Sequence, residues 1–217
     1  MPIQRIILLR HAHSEKNAED RHGGEGRDLT PSGYNELARL TLYLKSRVQI
    51  CNIRIFYTPI TQAEISAKYL GKQFKAVCDS DQRIRPLNLG VLSGLSREEA
   101  AKLFPEPAKS LEEWRKGLLR FDQLIIPNAE HFSYFWARGV SFLKDRLIAP
   151  NETADLLIVG TRSILILLSN ILLRNTSLAG KPYTVFDFNN SGVTILKHIR
   201  ELDAELICHN ETSFLHD

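Results

Sequence analysis

The sequence predicts a three-layer α/β/α sandwich built on a mostly parallel central sheet. Three observations carry this. Short apolar, β-branched runs alternate with segments of helical periodicity over the whole length. Two of those runs, Ile6–Leu9 and Leu156–Val159, are apolar without alternation, as strands buried on both faces are. No internal repeat, low-complexity tract or Pro/Ser-rich linker divides the 217 residues, so one domain, 1–217, is expected.

Taken in order, Ile6–Leu9 reads as a buried strand that ends abruptly in Arg10-His11-Ala12-His13-Ser14. Polar groups there sit at a strand's carboxyl end, where open α/β sheets bind ligands. Thr30-Pro31-Ser32-Gly33 starts a helix, with Thr30 as cap and Pro31 in the first turn. Leu37, Leu40, Leu44 and Val48 continue it as one apolar face. Ile53–Tyr57 is the next strand and Ile60–Leu70 the next helix. Ser96 and Glu99 have capping-box spacing and open another helix. Residues 97–128 are rich in charge and helix formers, with Pro105 and Pro107 expected to interrupt, and read as helical excursions that cap the site. Phe132–Ile148 is a long amphipathic helix, Asp155–Gly160 a buried strand and Ile164–Leu173 a buried helix. Val193–Ile199 and Ala204–Cys208 are late strands, with pairing between them left open.

Composition sets limits. The hydrophobic share of 43% and charged share of 24% are those of a soluble globular chain. A net charge of +3 suits an anionic substrate but is too weak to argue for nucleic acid. Three cysteines, Cys51, Cys78 and Cys208, without CxxC spacing argue against a disulfide framework or a zinc site, so no metal is expected and a reducing cytoplasm is the simpler compartment. No apolar run is long enough for a signal peptide core or a membrane span. The sequence carries no signal of oligomeric state.

Five segments carry a resemblance. They are Leu9-Arg10-His11-Ala12-His13-Ser14 with Asn17 beyond it, Leu29-Thr30-Pro31-Ser32-Gly33, Phe56-Tyr57-Thr58-Pro59-Ile60, Leu89-Gly90-Val91-Leu92-Ser93-Gly94, and Asn128-Ala129-Glu130 with Arg138 eight residues on. In this order they resemble the motifs of the histidine phosphatase superfamily, branch 1, with its phosphoglycerate mutase-like fold. The resemblance implies phosphoryl transfer through a histidine. His11 would be the nucleophile, Arg10 a phosphate clamp and Asn17 a further phosphate contact. No cofactor is implied, and specificity would lie in a small helical cap, about residues 92–131. The implied partner is a phosphorylated small molecule or a phosphoprotein, with neither nucleic acid nor membrane.

The chain departs from the family pattern at three positions. The second clamp arginine, three residues after the Pro of the turn, is Gln62. The usual acid, four residues before the Gly of Leu-Gly, is Pro86. The second histidine, after the penultimate strand, is Thr161. Loss of one preorganised donor costs roughly 10²- to 10³-fold in rate, and loss of a general acid roughly 10²- to 10⁴-fold. Weak or atypical hydrolysis and a pseudophosphatase that binds without turnover are therefore both expected forms. Mutase activity, which needs the second histidine, is not expected.

Replacements within the site can be named. Gln62 and Thr161 keep hydrogen-bonding groups, and Arg162 either restores a positive charge or is a solvated arginine at a helix start. Glu130 is the candidate acid, set against a first-turn carboxylate stabilised by the helix dipole. His131, His13, Arg83 and Arg85 read as rim or surface groups as readily as site residues. Trp114, Phe132, Phe135 and Trp136 read as core.

Overall fold

The computed structural model describes residues 5–50, 52–147, 154–175 and 184–216. The first strand, β1 (Arg5–Arg10), is followed by a four-residue helix, α1 (Glu15–Ala18). Then come α2 (Pro31–Tyr43), β2 (Ile53–Tyr57), α3 (Thr61–Phe74) and a short strand, β3 (Cys78–Ser80). Two helices follow, α4 (Arg97–Leu103) and α5 (Pro105–Arg115), and then α6 (Phe132–Leu147). The chain closes with β4 (Asp155–Gly160), α7 (Arg162–Leu172), β5 (Val193–Arg200) and β6 (Asp203–Glu211).

The six strands form one sheet in the order β3-β2-β4-β1-β5-β6. The β2–β3, β2–β4 and β1–β4 pairings are parallel, and β5 joins β1 and β6 antiparallel. The mostly parallel sandwich is therefore what the residues build, and the two late strands do pair. Alternation along the strands divides the core into two layers. Ile6, Leu8, Leu156, Ile158 and Phe56 face the layer with α6 and α7. Ile7, Leu9, Leu157, Val159 and Ile55 face the layer with α2 and α3. β4 is buried at every position, which explains why its sequence shows no polar alternation. Each such side chain contributes about 1.5–3 kcal/mol on burial.

Several elements differ from the sequence expectation. α1 and β3 were not expected, because four and three residues carry too little periodicity to read. The apolar face through Val48 is real, but after Tyr43 the helix widens into a π turn over Leu44–Val48. The helical run does break before Pro105, where α4 ends and α5 begins, but Pro107 lies within the first turn of α5, where a missing N–H costs nothing, and does not interrupt it. Ser96 and Glu99 form the expected capping box at α4. Ile148 and Cys51 lie outside the described residues, and Cys78 and Cys208 are free thiols.

Gly33 shows how closely the site loop is packed. A Cβ there would lie 2.1 Å from the carbonyl oxygen of His13. Backbone cannot yield as a flexible side chain can. Gly33→Ala is therefore expected to cost about 1–3 kcal/mol and to displace the loop carrying His11. A lowered urea midpoint together with weakened phosphate binding would check it.

Candidate active site

β1 and β4 run in parallel with Arg10 opposite Gly160, so the segments following both strands emerge side by side. His11 N–H donates to the Gly160 carbonyl at 3.1 Å, and Thr58 N–H donates to that of Val159 at 2.9 Å. The register thus brings His11, Thr161, Arg162 and, through the start of α3, Gln62 to one cavity at the carboxyl ends of the strands. Arg10, Asn17 and Pro86 line the same cavity.

His11 is 3% exposed, and its Nδ1 lies 2.8 Å from the Ala12 carbonyl. A carbonyl only accepts, so Nδ1 carries the proton and Nε2 holds the lone pair. Burial, and then the Arg10 charge, lower the imidazole to about 3. The ring is therefore neutral at pH 7 and nucleophilic at Nε2. The loop before β5 fixes its backbone: Asn190 Nδ2 donates to the His11 carbonyl at 2.9 Å.

Arg10 donates from Nη1 to the Phe188 carbonyl at 2.7 Å, while its buried Nε has no partner among the described residues. Burial and then Arg162 lower it to about 10, so it remains a cation. Asn17 Oδ1 accepts from Ser14 N, Ser14 Oγ and Asn190 Nδ2 at 2.8–3.1 Å. Gln62, 2% exposed, accepts from Arg27 N at 3.1 Å through Oε1. In both amides the oxygen is occupied, which leaves the NH₂ as the group for an oxyanion. Arg162 is tied to Asp187 at 3.2 Å, and its buried Nε is unpartnered among the described residues. Thr161 caps α7, an eleven-residue helix whose N-terminus adds partial positive charge.

Two further cations line the cavity from nearby segments, Lys16 of α1 and Arg21, and α5 adds Arg115 beside Trp114. Among the described residues, the lining thus holds five cations and no carboxylate. Sequence reasoning missed Lys16, Arg21 and Arg115. The available signal was the spacing of Leu111, Trp114 and Arg115, which share one helix face. Trp114 is both core and wall: it is 5% exposed and packs edge-on to Phe121 at 5.4 Å. Phe135 is fully buried in the core.

Glu130 is not where the sequence expectation put it. It lies outside the cavity lining, with Oε1 and Oε2 receiving Arg138 at 2.8 and 2.9 Å and Arg85 adding a contact at 3.1 Å. Although burial opposes ionisation, these arginines hold the carboxyl below its ordinary value. An ionised carboxylate has no proton to give. Arg138 also donates to the Arg83, Arg85 and Pro86 carbonyls at 2.6–3.1 Å, so the pair braces the segment that forms one cavity wall. Arg83 pairs with Asp81 and Asp145, and His131 bonds Ser133. His13 is likewise outside the lining: its N–H goes to Glu36 and its Nδ1 meets Thr30 Oγ1 at 2.9 Å.

His22, 3% exposed, is the second buried histidine. Its Nδ1 accepts from Arg115 at 3.0 Å, and burial followed by that arginine lowers it to about 4. In the unfolded chain both rings take up a proton as pH falls through about 6.5. In the fold they stay neutral down to about 3 and about 4. The unfolded state gains protons first, so stability should fall between pH 6.5 and 4.5 by about 2–3 kcal/mol per ring. Urea midpoints across that window check it, and His22→Phe should flatten the slope.

Among the described residues, no cluster of His, Cys, Asp and Glu could hold a metal ion, and no helix is long and apolar enough to cross a membrane.

This fold, with a neutral histidine set in a cationic cavity at the strand ends, defines a phosphoryl-transfer class. The profile of the histidine phosphatase superfamily (branch 1) matches residues 6–210, and the chain belongs to that family. No curated protein matches it by sequence. Solved structures share the fold at low identity. A mycobacterial glucosyl-3-phosphoglycerate phosphatase complexed with VO3 is 21% identical with a TM-score of 0.77, covering 96% of this chain and 100% of that one. A phosphoglycerate mutase from Bacillus anthracis is 18% identical with a TM-score of 0.77, over 99% and 96% of the two chains. A phosphoserine phosphatase from Entamoeba histolytica, in complex with 3-phosphoglyceric acid, is 19% identical with a TM-score of 0.74, over 97% and 98%.

Proposed function

We propose that this chain hydrolyses phosphomonoesters without a cofactor, through a phosphohistidine at His11. The observation that carries the reading is the neutral His11 ring, its Nδ1 proton fixed on Ala12 O, in a lining of five cations and no carboxylate. The phosphoryl group would sit against Nε2 with its peripheral oxygens on Arg10, Arg162, the Asn17 and Gln62 amides and the α7 N-terminus. Nε2 attacks phosphorus, the ester oxygen leaves, and water then cleaves the P–N bond. Arg162 supplies charge that Gln62 does not, and Thr161 keeps a hydroxyl where the family pattern has its second histidine. α5 walls the cavity with Leu111, Trp114 and Arg115, which favours a phosphorylated small molecule over a phosphoprotein. The substrates for which two structural neighbours are named, glucosyl-3-phosphoglycerate and phosphoserine, are of that size.

Gln62, Pro86 and Thr161 favour a second reading, a pseudophosphatase that binds a phosphorylated ligand without efficient turnover. The two separate on one experiment: steady-state hydrolysis of a phosphomonoester panel, with orthovanadate as inhibitor. Vanadate-sensitive turnover well above that of His11→Ala supports the enzyme. Vanadate binding that raises Tm without any such turnover supports the second reading and overturns the first.

A further inference from the structure

Pro86 leaves the proposed reaction without its family acid, and Glu130 is spent on Arg138. An alkoxide leaving group needs a proton, and the cavity offers few sources. Arginine does not release its proton in proteins. Serine and threonine hydroxyls are too weakly acidic. His11 has one proton, held on Nδ1 by Ala12 O, and its other nitrogen attacks phosphorus.

That leaves Lys16. It is half-buried on the cavity wall, one residue before Asn17, and its charge is felt at His11. Its Nζ donates to the Gly24 and Glu25 carbonyls at 3.4 and 3.1 Å and forms no ion pair among the described residues. Arg21, Arg115 and Arg162, by contrast, each hold a carboxylate. We infer that Lys16 is the general acid of this site, protonating the leaving oxygen as the P–O bond breaks. The inference rests on the proposed phosphatase reading.

The charged groups around Lys16 are all cations where they face the cavity: Arg10 from β1, Arg21, Arg115 from α5 and Arg162 from α7. Arg27 and Glu25 flank it in the adjoining groove. Burial, and then Arg27, lower the ammonium to about 8, which places its proton within reach of catalysis near neutral pH. The step balances. The Nε2 lone pair forms the N–P bond, the P–O pair goes to the ester oxygen, and that oxygen takes a proton from Nζ to leave as the alcohol. In the second half, the neutral amine takes a proton from the attacking water, and the P–N pair returns to Nε2 as inorganic phosphate departs.

The test is the leaving-group dependence of kcat/KM over a series from p-nitrophenyl phosphate to simple alkyl phosphates. It compares the wild type with Lys16→Arg, which keeps the charge but is too weak an acid to give up its proton, and with Lys16→Gln. Wild type should vary little along the series and lose activity as pH rises through about 8. Both variants should lose about 10²- to 10³-fold on alkyl esters, at least tenfold more than on the aryl ester, and lose the limb near pH 8. An equal loss on every ester, or full rescue by Lys16→Arg on alkyl esters, overturns the inference while leaving the phosphatase reading intact. Absence of wild-type turnover across the series overturns both. Phosphate-induced stabilisation of each variant confirms that it folds.

Discussion

Replacing His11 by alanine should lower kcat on every phosphomonoester by at least about 10⁴-fold, with little effect on anion binding. The ring supplies the attacking lone pair, and among the described residues no other lining residue is an uncharged nitrogen base with a free lone pair. The phosphate oxygens, by contrast, are held by Arg10, Arg162 and the Asn17 and Gln62 amides, which the substitution leaves in place. The inhibition constant for vanadate or phosphate should therefore change by less than about tenfold, a difference of under 1.4 kcal/mol. Arg10→Ala should do the opposite to binding. It removes the cation beside His11 and loosens the anion by about tenfold or more. Isothermal titration of both variants with phosphate checks the split.

Arg138→Ala is expected to be strongly destabilising. It strands Glu130, whose side chain is 7% exposed, and removes the donor to three carbonyls of the 83–86 segment. Breaking a buried pair from one side costs about 3–5 kcal/mol, a large share of the stability of an ordinary domain. The guanidinium also covers the Phe135 ring at 4.6 Å. Arg138→Lys should recover part of the loss at most, because an ammonium cannot reproduce the bidentate grip. Urea unfolding measures both. Glu130→Gln separates bracing from acid catalysis. Bracing predicts a lower midpoint with kcat/KM per folded molecule within a few-fold of wild type, whereas an acid would lose turnover at unchanged stability.

The long elements were legible because their burial is periodic or complete. β4 is buried at all six positions, and α2 carries Leu37 and Leu40 at helical spacing. α1 and β3 were not, since neither spans two repeats of its own pattern. Within the site, Arg10 and His11 could be named because they end a strand that the sequence marks, and Asn17, Gln62 and Thr161, with Arg162 beside it, because the resemblance gives their places in the motif order. Glu130 was misplaced for a physical reason. Its partner Arg138 lies eight residues on, two turns along α6, and sequence does not say whether a carboxylate faces a cavity or a guanidinium. Arg115 was missed because its role depends on how α5 folds back over the strand ends, and that is a tertiary fact.

A covalent phosphohistidine can be trapped by rapid quench. The enzyme is mixed with a phosphomonoester that it hydrolyses, quenched in alkali within milliseconds, and digested for mass spectrometry. The expected result is a phosphoryl group on the peptide bearing His11, formed at a rate no slower than kcat and absent in His11→Ala. Turnover that proceeds with no phosphoryl group on His11 at any time, at a rate that His11→Ala matches, would contradict it.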